Sequence, residues 1–297
     1  MSAMDKIPVA PKVSIGMPVF NGEQFIRGAL DSLLGQSFSD FELIISDNAS
    51  IDGTERICRE YADRDQRISY VRQPSNLGPV ANFKFVLDEA RGEYFMWAAC
   101  DDTRSPDFIE LNFKFLSENP EYVASTSPNG FEDRIFDERT FVNFALDGEI
   151  FQRFIRFFDF CWDSHGIFYS LVRTNVLRGC EVIGLSYIAV DWAIDLYLAS
   201  KGKIHRTKGG YAIFGVKGVS NSSGAYKASR NNAIELLLPF YRLTRYVISL
   251  TVSFPLGQRL RIIIILLKLN FLAALDPLRR ARHSIRRAIF ESRQGMV

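Results

Sequence analysis

Neither common glycine-rich phosphate loop occurs where this chain would need one. No GxGxxG follows the first strand-like run, and GxxxxGKS/T occurs nowhere, which argues against a dinucleotide-binding Rossmann enzyme and a P-loop NTPase. Cysteine is scarce: Cys58, Cys100, Cys161 and Cys180 form no CxxC pair and match no zinc spacing. The opening MSAMDKIPVAPK has no apolar core of a secretory signal, so residues 1–12 are expected to be a short disordered lead. Few cysteines and no such signal fit a reducing cytosol. The net charge is only +2, which argues against a protein that coats nucleic acid. The greasiest stretch, Ile262 to Leu275, is interrupted by Lys268 and Asn270 and is too short to span a bilayer. There is no internal repeat and no low-complexity tract.

What is present is a core. The 297 residues are 47% hydrophobic, with 25 phenylalanines, enough for one large domain and an appendage. Val13 to Phe20 reads as a strand with Pro18 near its end, where a ladder donor is expendable. Asn21-Gly22 marks a turn, and Glu23 to Leu34 has helical apolar spacing. Strands follow at Phe41 to Ser46 and Ile68 to Arg72, and helices at Thr54 to Tyr61 and Val80 to Ala90. This alternation with short connections predicts an α/β fold, a mainly parallel sheet flanked by helices. Further on, the pattern predicts helices at Pro106 to Glu118 and Phe151 to Phe160, and strands at Tyr122 to Ser127, Ile167 to Val172 and Lys203 to Phe214. Residues 129 to 147 read as a hairpin or loop over the site.

The stretch GEYFMWAACDD, Gly92 to Asp102, organises this pattern. An apolar run from Tyr94 to Cys100 stops at two carboxylates, Asp101 and Asp102. Ligands of open parallel sheets sit outside the carboxyl ends of strands. Two acids there are placed to hold a divalent cation and, through it, a phosphate. A helix cap would account for one of them but not both.

These residues carry a resemblance. VSIGMPVFNGEQFIRGALDSLLGQSFSDFELIISDNASIDGT, then NLGPVANF, then GEYFMWAACDD resemble, in order and spacing, the family 2 glycosyltransferases, which have the GT-A fold. The resemblance covers residues 13 to 120, with an echo at Tyr187 to Ile204. It implies a nucleoside diphosphate sugar as donor, UDP being the expected nucleotide, and inversion at the anomeric carbon. It places Pro18, Phe20, Asn21, Glu23 and Asp47 around the base, with Asn76 in the donor-binding set. A carboxylate accepting a base N–H and a stacking aromatic suit that role. Asp47 as a turn or cap, and Glu23 as a partner of the helix dipole, are the plainer readings. In the family's acid–spacer–acid motif the first acid is Ala99 here, while Asp101 matches the metal-binding acid and Asp102 follows it. Mg²⁺ or Mn²⁺ suits such oxygen ligands. Asp191 matches the catalytic base, with Val190 where an acid often precedes it; an N-cap is its alternative role. Asp195, one turn on, reads as a surface acid. His165, in a polar turn, would reach the diphosphate or the acceptor, or be structural. Lys217, in a Gly- and Ser-rich loop, would lie near phosphate.

The expected domains are a GT-A catalytic domain over 13–225, divided into a nucleotide-sugar half (13–120) and an acceptor half (121–225), and a helical region over 226–297. From Arg259 to Arg293 there are nine Lys or Arg and two acids, Asp276 and Glu291. After Pro277 apolar residues recur at helical spacing among arginines, the signature of a helix lying on an anionic membrane surface. Packing on the catalytic domain or on a partner subunit, as in a homo-oligomer, is the alternative. Together these readings predict a glycosyltransferase acting at the cytoplasmic face of the plasma membrane as a peripheral protein. Its acceptor would be a hydroxyl of a glycan or lipid-linked sugar, in cell-surface polysaccharide synthesis. A non-catalytic nucleotide-sugar binder, a nucleotidyltransferase and a membrane-bound scaffold are the rivals.

Overall fold

The structure is a computed structural model that describes residues 10–132, 144–163, 165–216 and 233–294, with side chains as far as residue 275 of the last helix. Two compact units make up the chain: residues up to 186 with 194–222, and residues 187–193 with those from 223 onward.

In the first unit, β1 (Val13–Val19), β2 (Phe41–Asp47), β3 (Ile68–Arg72) and β4 (Tyr94–Trp97) alternate with α1 (Ile26–Leu34), α2 (Thr54–Ala62) and α3 (Pro79–Asp88). Next come β5 (Thr103–Arg104), α4 (Phe108–Glu118), β6 (Tyr122–Thr126), β7 (Asn129–Phe131), α5 (Ile150–Phe160), α6 (His165–Phe168), β8 (Leu171–Arg173) and α7 (Thr174–Arg178). After α8 (Val190–Lys201), β9 (Lys203–Arg206) and β10 (Ala212–Phe214) close the unit; the first turn of α8 belongs to the second unit.

The main sheet has seven strands in the order β3-β2-β1-β4-β8-β6-β9. β1 pairs parallel with β2 and with β4, and β2 with β3. β8 runs antiparallel to β4 and β6, so the sheet is mixed beyond its parallel half. A second sheet holds β5-β10-β7. All seven residues of β1 are buried, as are all seven of β2, which accounts for their near-continuous apolar sequences. Ile26, Leu30 and Leu33 of α1 pack on them in the principal core. The polar exceptions are satisfied. Ser14 donates to Glu42, and Glu42 accepts from the backbone N–H, Nε and Nη2 of Arg91 at 2.6–2.8 Å.

Several boundaries differ from expectation. The strand expected to reach Cys100 ends at Trp97, and Ala98 N–H makes the next bond, to Gly16 O, before the chain turns. The strand expected from Ile167 to Val172 starts only at Leu171, and Ile167 and Phe168 belong to the short helix α6. The run from Lys203 to Phe214 is two strands in two sheets, separated by Gly210 at φ +70°. α1 starts at Ile26, leaving Glu23 in the turn before it.

The second unit contains α9 (Ala233–Leu237), α10 (Tyr241–Leu250) and α11 (Leu256–Gln294), the last a single helix through Pro277. Leu243 and Val247 of α10 and Ile262 and Leu266 of α11 are buried. Asn270 accepts from Phe240 N–H and donates to Thr244 Oγ1, each at 2.9 Å. Trp192 stacks on Phe240 with ring centroids 5.5 Å apart. No helix among the described residues is long and apolar enough to cross a membrane.

The tight glycines make a direct test. A Cβ at Gly92 would lie 2.6 Å from the backbone nitrogen of Ser14, which cannot yield, whereas a Cβ at Gly28 in α1 meets nothing within 4 Å. Gly92→Ala is expected to cost about 1–3 kcal/mol, and Gly28→Ala to stabilise by about 0.5–1 kcal/mol, both read by urea denaturation.

Candidate functional site

Strand order puts β1 next to β4 while the connections on either side of β1 lead away in opposite directions, so a crevice opens at their carboxyl ends. A cavity of about 560 Å³ occupies it. Pro18, Val19, Phe20, Asn21, Gly22 and Phe25 come from the end of β1 and the turn after it. Asn48 follows β2; Asn76, Pro79, Asn82 and Phe83 follow β3 and open α3. Ala99, Cys100, Asp101 and Asp102 follow β4, and Phe131, Tyr169, Phe214 and Gly215 form the far wall.

The polar loops at this rim are bound chiefly to one another. Asn21 N–H donates to Ser50 Oγ, and Asn21 Oδ1 accepts from Ile51 N–H, both at 2.9 Å. Gly22 N–H donates to Thr54 Oγ1, Glu23 N–H to Asp52, and Gly53 N–H to Glu23 Oε2. The β1–α1 turn and the β2–α2 loop are thus fastened by five hydrogen bonds. Asn21 (φ 52°) and Ala49 (φ 61°) are left-handed there; asparagine tolerates that conformation, while for alanine it is strained. Asn48 Nδ2 donates to Asn76 Oδ1 at 2.9 Å and Asn48 Oδ1 accepts from Leu77 N–H, which fixes the loop after β3 in the same way.

Two carboxylates face the cavity from the β4 end. Asp102 is 3% exposed. Its Oδ1 accepts from Gly215 N–H at 3.2 Å, and its Oδ2, also buried, has no hydrogen-bond partner among the described residues. Burial raises its pKa to about 7, against the opposing charge of Arg104 and with the Asp101 charge adding. Asp101 is partly exposed, and burial, then Glu132, raises its pKa as well. A Cβ on Gly215 would run into the Asp101 carboxylate, so glycine there leaves the acid its space. Burial and both acids push the Cys100 thiol up to about 12, so it stays protonated and is no nucleophile. Arg104 is buried behind them; its Nη2 donates to Trp97 O, and its Nε and Nη1 have no partner among the described residues.

An orphaned buried carboxylate oxygen beside a second acid is what a divalent cation would satisfy. No group of three or more His, Cys, Asp or Glu suited to a metal exists among the described residues. Mg²⁺ sites of the carboxylate-plus-phosphate kind need only one or two protein carboxylates. The donor set therefore fits such an ion completed by a ligand's phosphates.

The sequence pattern described as glycosyl transferase family 2 matches residues 14–173, more than half of the chain. The chain belongs to glycosyl transferase family 2. Among its family relatives is the glycosyltransferase GlyA of Streptococcus pneumoniae serotype 4. That protein is 26% identical over 175 residues, which are 59% of this chain and 24% of GlyA. The matched part spans less than half the length of the first curated relatives. The crystal structure of S. aureus TarS 1–349 in complex with UDP-GlcNAc is similar in fold. Its TM-score is 0.65 at 19% identity, over 86% of this chain and 71% of that 1–349 chain. The mannosyltransferase PcManGT of Pyrobaculum calidifontis, in complex with GDP-Man and Mn²⁺, superposes with a TM-score of 0.50 at 15% identity. That match covers 92% of this chain and 76% of PcManGT. The fold is the α/β, GT-A-like one.

Within this family 2 chain, Pro18, Phe20, Asn21, Asn76, Asp101 and Asp102 are brought together at one cavity. Asp47 and Glu23 do not line it. Asp47 is fully buried, its Oδ1 accepting from Ser50 N–H and its Oδ2 from Tyr70 OH and Arg72 Nη1 at 2.8–3.2 Å. These partners lie in the β2–α2 loop and on β3. Glu23 likewise holds Gly53 and pairs with Arg56 at 3.7 Å. Asp191 lies in the first turn of α8, in the second unit. Asp195, expected at the surface, is buried. His165 opens α6, its side chain outside those described, and Lys217 lies outside the described residues.

Sequence reasoning missed Tyr169, Phe131, Phe214 and Gly215. They come from segments far apart in the chain; Phe131 falls in the 129 to 147 stretch expected over the site, and Gly215 lies just past an apolar strand. Asp47→Ala would strand Tyr70 OH and Ser50 N–H and leave Arg72 with Glu55 alone, 3.1 Å away, and a loss of about 3 kcal/mol is expected in urea denaturation. Full stability with lost nucleotide affinity would return Asp47 to the base site.

Proposed function

We propose that this chain is an inverting glycosyltransferase that moves a sugar from a nucleoside diphosphate donor, UDP being favoured, to a hydroxyl of a glycan or lipid-linked acceptor. The observation that carries this reading is the pair Asp101 and Asp102, one with an orphaned buried oxygen, at a strand-end cavity of a family 2 chain. The cavity's size suits one nucleotide sugar.

Phe20, partly exposed at the mouth, offers a stacking face to the base. Pro18, Asn21 and Asn76 shape the wall around it, with Asp47 and Glu23 holding the loops in place. Asp101 and Asp102 would hold Mg²⁺ or Mn²⁺. When bound, such an ion supplies neutralising charge beside the departing diphosphate. Asp191 takes the acceptor's proton as general base, and direct displacement by that oxygen gives inversion. His165 and Lys217 remain candidates for the diphosphate side on the family resemblance alone. The enzyme would work as a peripheral protein on the anionic inner face of the plasma membrane, a setting suited to assembly of cell-surface polysaccharide. Ala99, standing where the family motif has an acid, favours a second reading as a non-catalytic sugar-nucleotide binder.

Two measurements separate these readings. UDP with Mn²⁺ should raise the melting temperature of the wild type, by linkage, and removal of the cation with EDTA or Asp101→Asn combined with Asp102→Asn should abolish the rise. A shift untouched by both changes would remove the metal role. Asp191→Asn should lower kcat for transfer from a UDP-sugar by about 10²–10⁴-fold with donor KM nearly unchanged. Binding without any turnover in the wild type would establish the second reading.

A further inference from the structure

The helix α11 is apolar on two sides. Its inward side, Ile262, Leu266 and Leu269, is buried. On the outward side Leu256 is 71% exposed, Leu260 49%, Ile264 53%, Leu267 57% and Phe271 64%. At 3.6 residues per turn these five lie within roughly 80° of one another, so they make one continuous stripe about 22 Å long. A helix greasy on all sides belongs in an interior or against another apolar phase. A contiguous exposed stripe of this extent marks an interaction surface.

The charges around the stripe select the occupant. No Asp or Glu occurs between Leu256 and Leu275, while Arg259, Arg261 and Lys268 do. Arg261 and Lys268 are exposed and follow one edge of the stripe by helical spacing. Long cationic side chains beside a strip of leucines keep their heads at lipid phosphates while the stems lie on the apolar surface. The Leu256–Leu275 stretch of a second copy would offer no carboxylate to meet them. Val252, 64% exposed in the turn before α11, extends the same apolar character at its start.

We propose that the outward face of α11 from Leu256 to Phe271 is the docking surface for an anionic lipid bilayer, with the helix lying in the plane of the interface. This deepens the membrane reading given above. It moves the contact from the arginine-rich segment after Pro277 to the preceding four turns, and it does not depend on the glycosyl-transfer chemistry.

The test is flotation of the full chain with vesicles of phosphatidylcholine alone or mixed with phosphatidylglycerol. Wild type should float with the mixed vesicles. Leu260→Gln combined with Leu267→Gln should weaken partitioning by about tenfold or more. Arg261→Gln combined with Lys268→Gln should weaken it by about thirtyfold on the mixed vesicles and hardly at all on phosphatidylcholine. All four positions are exposed, and circular dichroism melts check that each variant keeps the wild-type fold. A third variant, Arg279→Gln with Arg280→Gln and Arg282→Gln, separates the two ideas. If it alone abolishes flotation while the leucine variant floats normally, membrane binding stands and this face is wrong. If wild type floats with neither vesicle, both fail. If sedimentation shows a wild-type dimer that the leucine variant breaks, the face belongs to a second copy and the proposal is overturned.

Discussion

The parallel pairing of β1 with β4 is the constraint on which the rest of the site depends. Register runs from Val13 opposite Tyr94 to Gly16 opposite Trp97, and the bond from Ala98 N–H to Gly16 O is the next rung. Past that rung the two chains diverge, one into the Phe20 turn and the other into Cys100, Asp101 and Asp102. The cavity is the space they leave. Gly16 makes this approach possible, since a Cβ there would stand 2.6 Å from Val86 and 2.7 Å from Phe95. Removing that single methyl position lets α3 and β4 close on β1 from two directions.

A second consequence concerns the polar side chains at the rim. Asn21, Glu23, Asp47, Asn48 and Asn76 use their hydrogen-bonding capacity largely on neighbouring loops. Rigid loops hold the cavity's shape without a ligand, and they leave its wall mostly apolar and aromatic. Charge facing the cavity is concentrated at Asp101 and Asp102. The same low-dielectric surroundings that raise the pKa of Asp102 would also strengthen its attraction for a cation. Burial therefore makes this pair costly alone and effective when a counter-charge is present.

The C-terminal helix follows the opposite logic. Its inner side is sealed by Asn270, which satisfies the backbone of Phe240 and the hydroxyl of Thr244 and so fixes the register of α11 against α10. Once that register is set, the helical period turns Leu256, Leu260, Ile264, Leu267 and Phe271 outward together.

The α/β class, the succession of the first four strands along the chain, and the strand-end position of Asp101 and Asp102 were legible in the residues. Apolar runs broken by Asn-Gly, Asp-Gly and Asp-Asp punctuation are local signals, and local periodicity reports them. Whether a rim side chain points into the cavity or into a neighbouring loop was not legible. Asp47 and Asn21 look alike as ligands in one dimension; the first is consumed by Tyr70 and Arg72, the second keeps a place on the wall. Nor could spacing show that Gly215 serves Asp102 across a separation of 113 residues. In α11, sequence alone established an apolar and basic helix, because composition and a period of 3.6 suffice for that. Which of its two greasy sides is left for a partner was decided only in three dimensions, because burial depends on which face the neighbouring helix covers.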